Sequence, residues 1–238
     1  RELAGREGAT VLRTYLHAFR GLSVRASAAA AAAIALDPRV ARVEEDARAG
    51  AAAVTWQGSP GWNLDRVDQR SSRLDGLYQF DDRWTGQGVH AYVLDTGILT
   101  SHAQFTPGRA TFDFDALGEG FTGDCSGHGT HVAGTLAGVT FGVAKGARIH
   151  SVRVLDCAGN GRVSDVVAGL DWVIANGEHP AVANLSLSAG ASPTLDDAVE
   201  ATVAHGIAVV AAAGDGGKDA CDVSPARARG AIAVAATR

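Results

Sequence analysis

Five short apolar runs recur from residue 88 onward: "GVHAYVLD" (88–95), "RIHSVRVLD" (148–156), "AVANLSLS" (181–188), "IAVVAAAG" (207–214) and "AIAVAA" (231–236). Helical patterns separate the later ones. In "RVSDVVAGLDWVIANG" Val163, Val166, Val167, Leu170, Val173 and Ile174 share one face, and Gly177 follows as a stop. "SPTLDDAVEATVAHG" places Pro193 in its first turn and Gly206 after its last. Near-continuous apolar strands alternating with helices specify an α/β fold, a parallel sheet covered on both faces. In such sheets sites form at the carboxyl ends of the strands. Asp95 and the glycines after Ala213 lie at such ends.

Residues 1–54 have a different texture, rich in Ala, Arg and Glu and without cysteine. "VLRTYLHAF" carries Val11, Leu12, Tyr15, Leu16 and Phe19 at helical spacing. In "SAAAAAAIALDPRV" Ser27 is a helix cap, and Asp37-Pro38 ends the helix because proline disfavours helix at the residue before it. "RVARVEEDA" reads as a strand with an acidic exit, and "RAGAAAVTWQGSPGW" as an extended linker. The division is a small domain and linker over 1–54 and the α/β domain over 55–238.

Composition narrows the function. Apolar residues make up 46% and charged residues 20% of 238, ordinary for a soluble globular protein. Net charge is −5 and the 21 basic residues are scattered, so the concentrated basic face of a nucleic-acid binder is missing. The longest apolar run, Ala28 to Leu36, is about half of what spans a bilayer, so no membrane partner is expected. With no methionine and no signal-peptide pattern at its start, the chain reads as a fragment or processed piece.

Two stretches carry chemistry. Asp95 ends a strand in "VLDTGI", and His128 opens a small-residue helix in "GHGTHVAGT". Brought together, the carboxylate would fix the imidazole tautomer and stabilise its cation. Spacing alone favours a plainer reading, in which Asp95 caps a turn and His128 is a polar helix-start residue. "GEGFTG" (118–123) matches G-x-G-x-x-G, but the flanks of "FDFDALGEGFTGDCSGHG" read as loop, and Glu119 would face a pyrophosphate. His128-x-x-His131 lacks the H-E-x-x-H pattern of a zinc helix. "LDRVDQRSSRLDG" gathers Asp65, Asp68, Gln69 and Asp75, hard oxygen donors suited to Ca²⁺ or to a solvated turn. Three cysteines are an odd count, leaving one unpaired thiol in a secreted protein or three free thiols in a cytosolic one.

The strings "YVLDTGI", "GHGTHVAGT", "VANLSLSAG" and "VVAAAGDGG", in this order, resemble the subtilisin-like serine proteases of family S8, above all the proteinase K branch and its aqualysin-type members. "GWNLDRVDQR", "FGVAKGARIHSVRVLDCAGNG" and "CDVSPAR" extend the likeness from about Thr55 to the end. "YLHAFRGLSVRAS" and "LDPRVARVEEDA" resemble that family's inhibitory propeptide. The resemblance implies a subtilisin-like doubly wound parallel sheet with helices on both faces, preceded by a small α+β propeptide domain.

It further implies a secreted, monomeric serine endopeptidase acting on proteins or peptides, its own propeptide serving as intramolecular inhibitor and chaperone. Asp95 becomes the triad aspartate, His128 the general base, and His131 a residue packed behind the site. Ser186, Leu187, Ser188, Ala189 and Gly190 become the substrate-binding edge, with Ser188 and Ala189 where the family has glycines. Cys125 pairs with Cys157, and a partner for Cys221 lies beyond residue 238. The Asp65 loop matches a calcium site in related enzymes. Two departures stand out. Asp215 occupies the position of an asparagine that donates to the oxyanion, and a free aspartic acid titrates near 4. No "GTSMA"-like serine motif follows, so the chain is expected to be truncated and inactive alone. The rival reading is a binding-only pseudoprotease.

Overall fold

The structure, a computed structural model, describes residues 2–17, 19–46, 54–105 and 108–236. They belong to two compact units, Arg1–Ala52 and Ala53–Arg238.

The first unit opens with helix α1 (Glu2–Arg6), followed by strands β1 (Thr10–Tyr15) and β2 (Gly21–Arg25) and helix α2 (Ala28–Ala35). β1 and β2 pair antiparallel from Thr10↔Arg25 to Tyr15↔Gly21, with an irregularity between Val11 and Arg13. The helical spacing in "VLRTYLHAF" is therefore misleading, because Thr10–Tyr15 is a strand. β-branched Thr10, Val11 and Thr14 suit a ladder, and pairing with β2 outweighs a periodicity only a few residues long. α2 forms as expected, with Ser27 Oγ accepting the Ala30 N–H at 3.1 Å. No strand forms over 39–46, since no neighbouring segment gives it a ladder.

In the second unit the stretch expected as a linker contributes a strand. β3 (Thr55–Gly58) leads into helix α3 (Trp62–Val67) and pairs antiparallel with β4 (Leu77–Phe80). The earlier part of that stretch, 48–53, lies outside the described residues. The chain continues through β5 (His90–Asp95), β6 (Ala110–Asp115), α4 (His128–Ala137), β7 (Arg148–Arg153), α5 (Val163–Asn176), β8 (Ala181–Leu185), β9 (Ala189–Gly190), α6 (Pro193–Ala204), β10 (Ile207–Ala212), β11 (Val223–Ser224) and β12 (Ile232–Val234).

Six strands form one parallel sheet in the order β12-β10-β8-β5-β7-β6. β6 is the exception to the sequence reading, which took its segment for loop. Asp113 and Asp115 mask the apolar pattern of "ATFDFD", as suits a strand at the sheet edge. Alternation along β5 serves both faces. Tyr92 and Leu94 pack toward α5 and α6 with Val166, Leu170, Val173, Leu195 and Val199. Val93 packs the other way with Ala133 and Ala137 of α4 and Ile149 of β7. From β5 the chain first builds one flank, β6 and β7, and then the other, β8, β10 and β12. Asp95 thus ends the strand at which the sheet order switches, where a parallel sheet opens a crevice.

Candidate active site

Loop closure brings Asp95 and His128, 33 residues apart, into contact, with Nδ1 of His128 lying 2.7 Å from Asp95 Oδ1. An ionised carboxylate can only accept, so Nδ1 carries the proton and Nε2 keeps its lone pair. Asp95 is fully buried while the His128 side chain is half exposed, so the imidazole presents its outer face to solvent and the carboxylate stays behind it. The Thr96 N–H also donates to Asp95 Oδ1, at 2.7 Å. Oδ2 has no hydrogen-bond partner among the described residues. Burial pushes the Asp95 carboxyl above its ordinary value, and the bonds from His128 and Thr96 pull it part of the way back.

Asp124 sets the position of His128. Its Oδ1 accepts from Thr96 Oγ1 (2.9 Å), Ser126 N (3.1 Å) and Gly127 N (2.8 Å), and its Oδ2 from Thr130 N (2.9 Å) and Thr130 Oγ1 (2.5 Å). Burial alone would raise this carboxyl, but the bonds from Thr130, Gly127 and Thr96 outweigh it and hold it below its ordinary value. A carboxylate at the start of α4 also meets the positive end of the helix dipole. Thr96 Oγ1 closes the loop by accepting the Gly129 N–H at 3.0 Å. Two glycines permit this approach. A side-chain carbon at Gly97 (φ +104) would run into the Gly123 carbonyl, and one at Gly129 into the Gly97 carbonyl. Sequence reading passed over Asp124, though its position three residues before the glycine at the helix cap was a signal.

His128 borders a cleft of about 470 Å³ that Ser186, Leu187, Ser188 and Ala189 also line. Gly190 lies outside that lining and pairs with Val223, while Ala189 pairs with Ser224. Asp215 is exposed in the loop after β10 and does not line the cleft. Its neighbour Gly214 approaches the cleft wall, with a side-chain carbon there falling 3.9 Å from Ser188 Cβ. Ser224, the serine that follows Asp215, is buried and accounted for: it donates to Asp196 Oδ1 at 2.7 Å and accepts from Ser192 N.

Residues 86–238 match the family model "Subtilase family". The chain belongs to the subtilases. Residues 1–50 of this subtilase match the "Peptidase inhibitor I9" model. It is similar to an extracellular serine proteinase of Thermus sp. (strain Rt41A), 52% identical over 234 residues, 98% of this chain and 56% of that one. An alkaline serine exoprotease A of Vibrio alginolyticus is 44% identical over 206 residues, 84% of this chain and 38% of that one. The crystal structure of a cold adapted subtilisin-like serine proteinase superposes with a TM-score of 0.72 at 44% identity, covering 76% of this chain and 66% of the other. The subtilase chain thus spans about half the length of the curated relatives it matches.

Other sequence expectations for the subtilase divide. Cys125 and Cys157 are bonded, and Cys221 is free and exposed. His131 is exposed on α4, not packed behind the site, because it points away from the face on which Ala133 and Ala137 are buried. "GEGFTG" does have a strand ahead of it, β6, contrary to the loop expected there. Its glutamate is nonetheless occupied: Glu119 pairs with buried Arg153 at 2.8 Å, and the guanidinium lies 5.3 Å from the Phe121 ring centre.

The Asp65–Asp75 loop offers only part of an ion's ligand set. Asp65 is buried with both oxygens taken by Asp75 N (3.1 Å) and Gly76 N (2.9 Å). Asp68 Oδ2 accepts from Gln79 N and Asp75 Oδ1 from Leu77 N, which leaves one oxygen on each side chain, and the Gln69 amide, as donors. The three carboxylates do not converge within reach of one ion as they stand. Among the described residues no helix is long and apolar enough to cross a membrane.

Proposed function

We propose that this chain is the propeptide and the amino-terminal part of the catalytic domain of a secreted serine endopeptidase that hydrolyses peptide bonds in proteins. The observation that carries the reading is the 2.7 Å Asp95–His128 bond at the switch point of the sheet, beside the cleft, in a chain of the subtilase family. In this mechanism a serine beyond residue 238 attacks the peptide carbonyl. His128 Nε2 takes its proton and later returns it to the leaving amine, while Asp95 holds the tautomer and stabilises the imidazolium. Substrate backbone lies along Ser186–Gly190. The 238 residues alone are inactive, since the nucleophile is not among them. The decisive observation is the coding sequence after Arg238. A serine motif of the "GTSMA" type with a further cysteine supports the reading, and an immediate stop codon replaces it with a binding-only protein.

Asp215 takes the oxyanion-hole position together with a backbone N–H, where an amide would donate to the developing charge and a carboxylate would not. Loss of the side-chain donor in subtilisin, a member of this same family, costs roughly 10²–10³ in kcat. Asp215→Asn in the full-length enzyme supplies the amide donor and therefore raises kcat. An unchanged kcat removes Asp215 from the mechanism.

Residues 1–54 assist folding and inhibit the enzyme as a propeptide, and cleavage near Val54–Thr55 releases it. N-terminal sequencing of active protein checks the point of cleavage. Asp65, Asp68, Gln69 and Asp75 hold a structural calcium ion only if the loop draws its carboxylates together on binding. Thermal stabilisation by calcium that disappears in the Asp65→Asn, Asp68→Asn double variant supports it, and an unchanged Tm with calcium counts against it.

A further inference from the structure

A second group of ligating side chains lies at the opposite end of the sheet from Asp95. His90 begins β5 and His150 sits in β7, with Nδ1 of His90 2.9 Å from Nε2 of His150. Glu178, in the loop before β8, places Oε1 3.8 Å from His90 Nδ1. All three ligating atoms lie within 4.8 Å of one another, the only such set of His, Cys, Asp and Glu side chains among the described residues. The two histidines are buried, and the Glu178 side chain is 69% exposed.

We propose that His90, His150 and Glu178 form a binding site for one divalent transition-metal ion, zinc by its chemistry, that ties β5, β7 and the α5–β8 loop together.

Three features of the surroundings support it. First, His150 already carries the outer support that metal-bound histidines use. Its Nδ1 lies 3.0 Å from Asp113 Oδ2, and the Thr111 hydroxyl donates to the same oxygen at 2.8 Å. The carboxylate keeps the proton on Nδ1 and turns the Nε2 lone pair toward His90. Second, the ligands rest on fixed backbone. Tyr92 stacks on the His150 ring with centres 4.5 Å apart, and its hydroxyl accepts the Glu178 N–H at 2.7 Å. The His90 N–H donates to the Pro180 carbonyl at 2.9 Å, tying the loop to the start of β5. Third, the donor set matches the ion. Two imidazoles and a carboxylate are a known zinc combination, with metal–nitrogen distances of about 2.0–2.1 Å and a fourth position open to water. Tetrahedral geometry at those lengths needs ring nitrogens about 3.3 Å apart, so the pair opens by only a few tenths of an ångström. Exposed Glu178 leaves the ion a path from solvent.

On binding, zinc takes a lone pair from each ring and one from Glu178, and the proton that lay between the two ring nitrogens is carried instead on His90 Nε2, so that His90 stays neutral. No catalytic role follows, because β5 separates this group from Asp95 by about 16 Å along the strand.

The test uses the full 238-residue chain carrying Cys221→Ser, which removes the exposed thiol as a competing ligand, after treatment with a chelator. Zinc chloride is titrated by calorimetry, and cobalt(II) is followed by visible absorption. The expected result is one ion per chain, with the intense absorption of tetrahedral cobalt. Glu178→Gln, whose exposed side chain makes it safe for folding, weakens zinc binding at least tenfold, and Asp113→Asn weakens it about 10–100-fold. Absence of stoichiometric binding, or binding equal in both variants, overturns the proposal.

Discussion

Among the described residues two histidine–aspartate pairs, Asp95 of β5 with His128 of α4 and Asp113 of β6 with His150 of β7, are turned opposite ways. In Asp95–His128 the carboxylate is the buried partner and the imidazole faces the cleft; the side chains are 0% and 50% exposed. In His150–Asp113, at 3.0 Å, the imidazole is the more buried partner, 11% against 22%. The same bond therefore delivers different chemistry. A histidine with its aspartate behind it offers a free Nε2 to an incoming substrate. A histidine pinned inside the sheet offers its Nε2 only to another residue of the protein, here His90. The direction of burial, more than the pair itself, separates a proton-transfer site from an internal ligand site.

The largest break of this contrast is at the cleft. In full-length protein carrying the nucleophile, His128→Ala lowers kcat by roughly 10⁶-fold, the size seen in subtilisin itself, a member of this family. Asp95→Asn costs roughly 10⁴, the size of the corresponding change in chymotrypsin, because the tautomer is no longer held. Steady-state kinetics on a peptide substrate measure both, and a loss under tenfold at either position would remove it from the triad.

The loop that carries His128 is anchored by the Cys125–Cys157 bridge, which closes a segment of sequence separation 32. Replacing both cysteines by serine lowers stability by about 3–4 kcal/mol on loop-closure grounds, read by denaturant unfolding. The His150 pair, held inside the sheet ladder, is insensitive to that change, and hydrogen exchange of β5 and β7 amides distinguishes the two ends.

Asp124 sharpens the contrast through pH. Its folded-state carboxyl is held below its ordinary value, so its contribution is full above the unfolded value near 4 and is lost as the pH falls through the lower folded value. Asp95 works in the opposite sense, because burial raises its carboxyl and protonation in acid relieves that cost. Asp124→Asn lowers stability by about 2 kcal/mol at pH 7 and flattens the acid limb below pH 4, visible in Tm against pH. An unchanged acid limb would show that the loop does not depend on this carboxylate.

The smallest effect belongs to the internal pair. Asp113→Asn, measured in chelator, lowers stability by about 1 kcal/mol, one hydrogen bond weakened in a site that keeps its shape. A loss several times larger would mean that the carboxylate organises the edge strand β6 as well as His150.

Much of the fold was legible because its elements record their own burial. The α5 stripe from Val163 to Val173 marks the face that packs on the sheet, and the Ser27 cap and Pro193 start are local chemistry. β1, β3 and β6 were not legible, because each depends on a partner strand that local spacing does not name. β1 imitates a helix, β3 sits in a stretch that reads as linker, and Asp113 and Asp115 disguise β6. At the site, Asp95 and His128 could be selected from their motifs, while Asp124 shows its value only through the bonds it collects.

The sequence by itself determined the parallel α/β class and most of its strands and helices after residue 88, and its motifs singled out Asp95 and His128. Apolar periodicity is a property of short segments, which explains the elements; the two residues came from the resemblance of "YVLDTGI" and "GHGTHVAGT" to a family. Tertiary structure alone decided which side of each pair is buried, and it alone brought His90, His150 and Glu178 together. His90 and His150 are 60 residues apart, and only the register of β5 beside β7, Tyr92 against His150, makes them neighbours. Contact across a parallel sheet is fixed by where chains lie after their crossovers, and no local pattern carries that information.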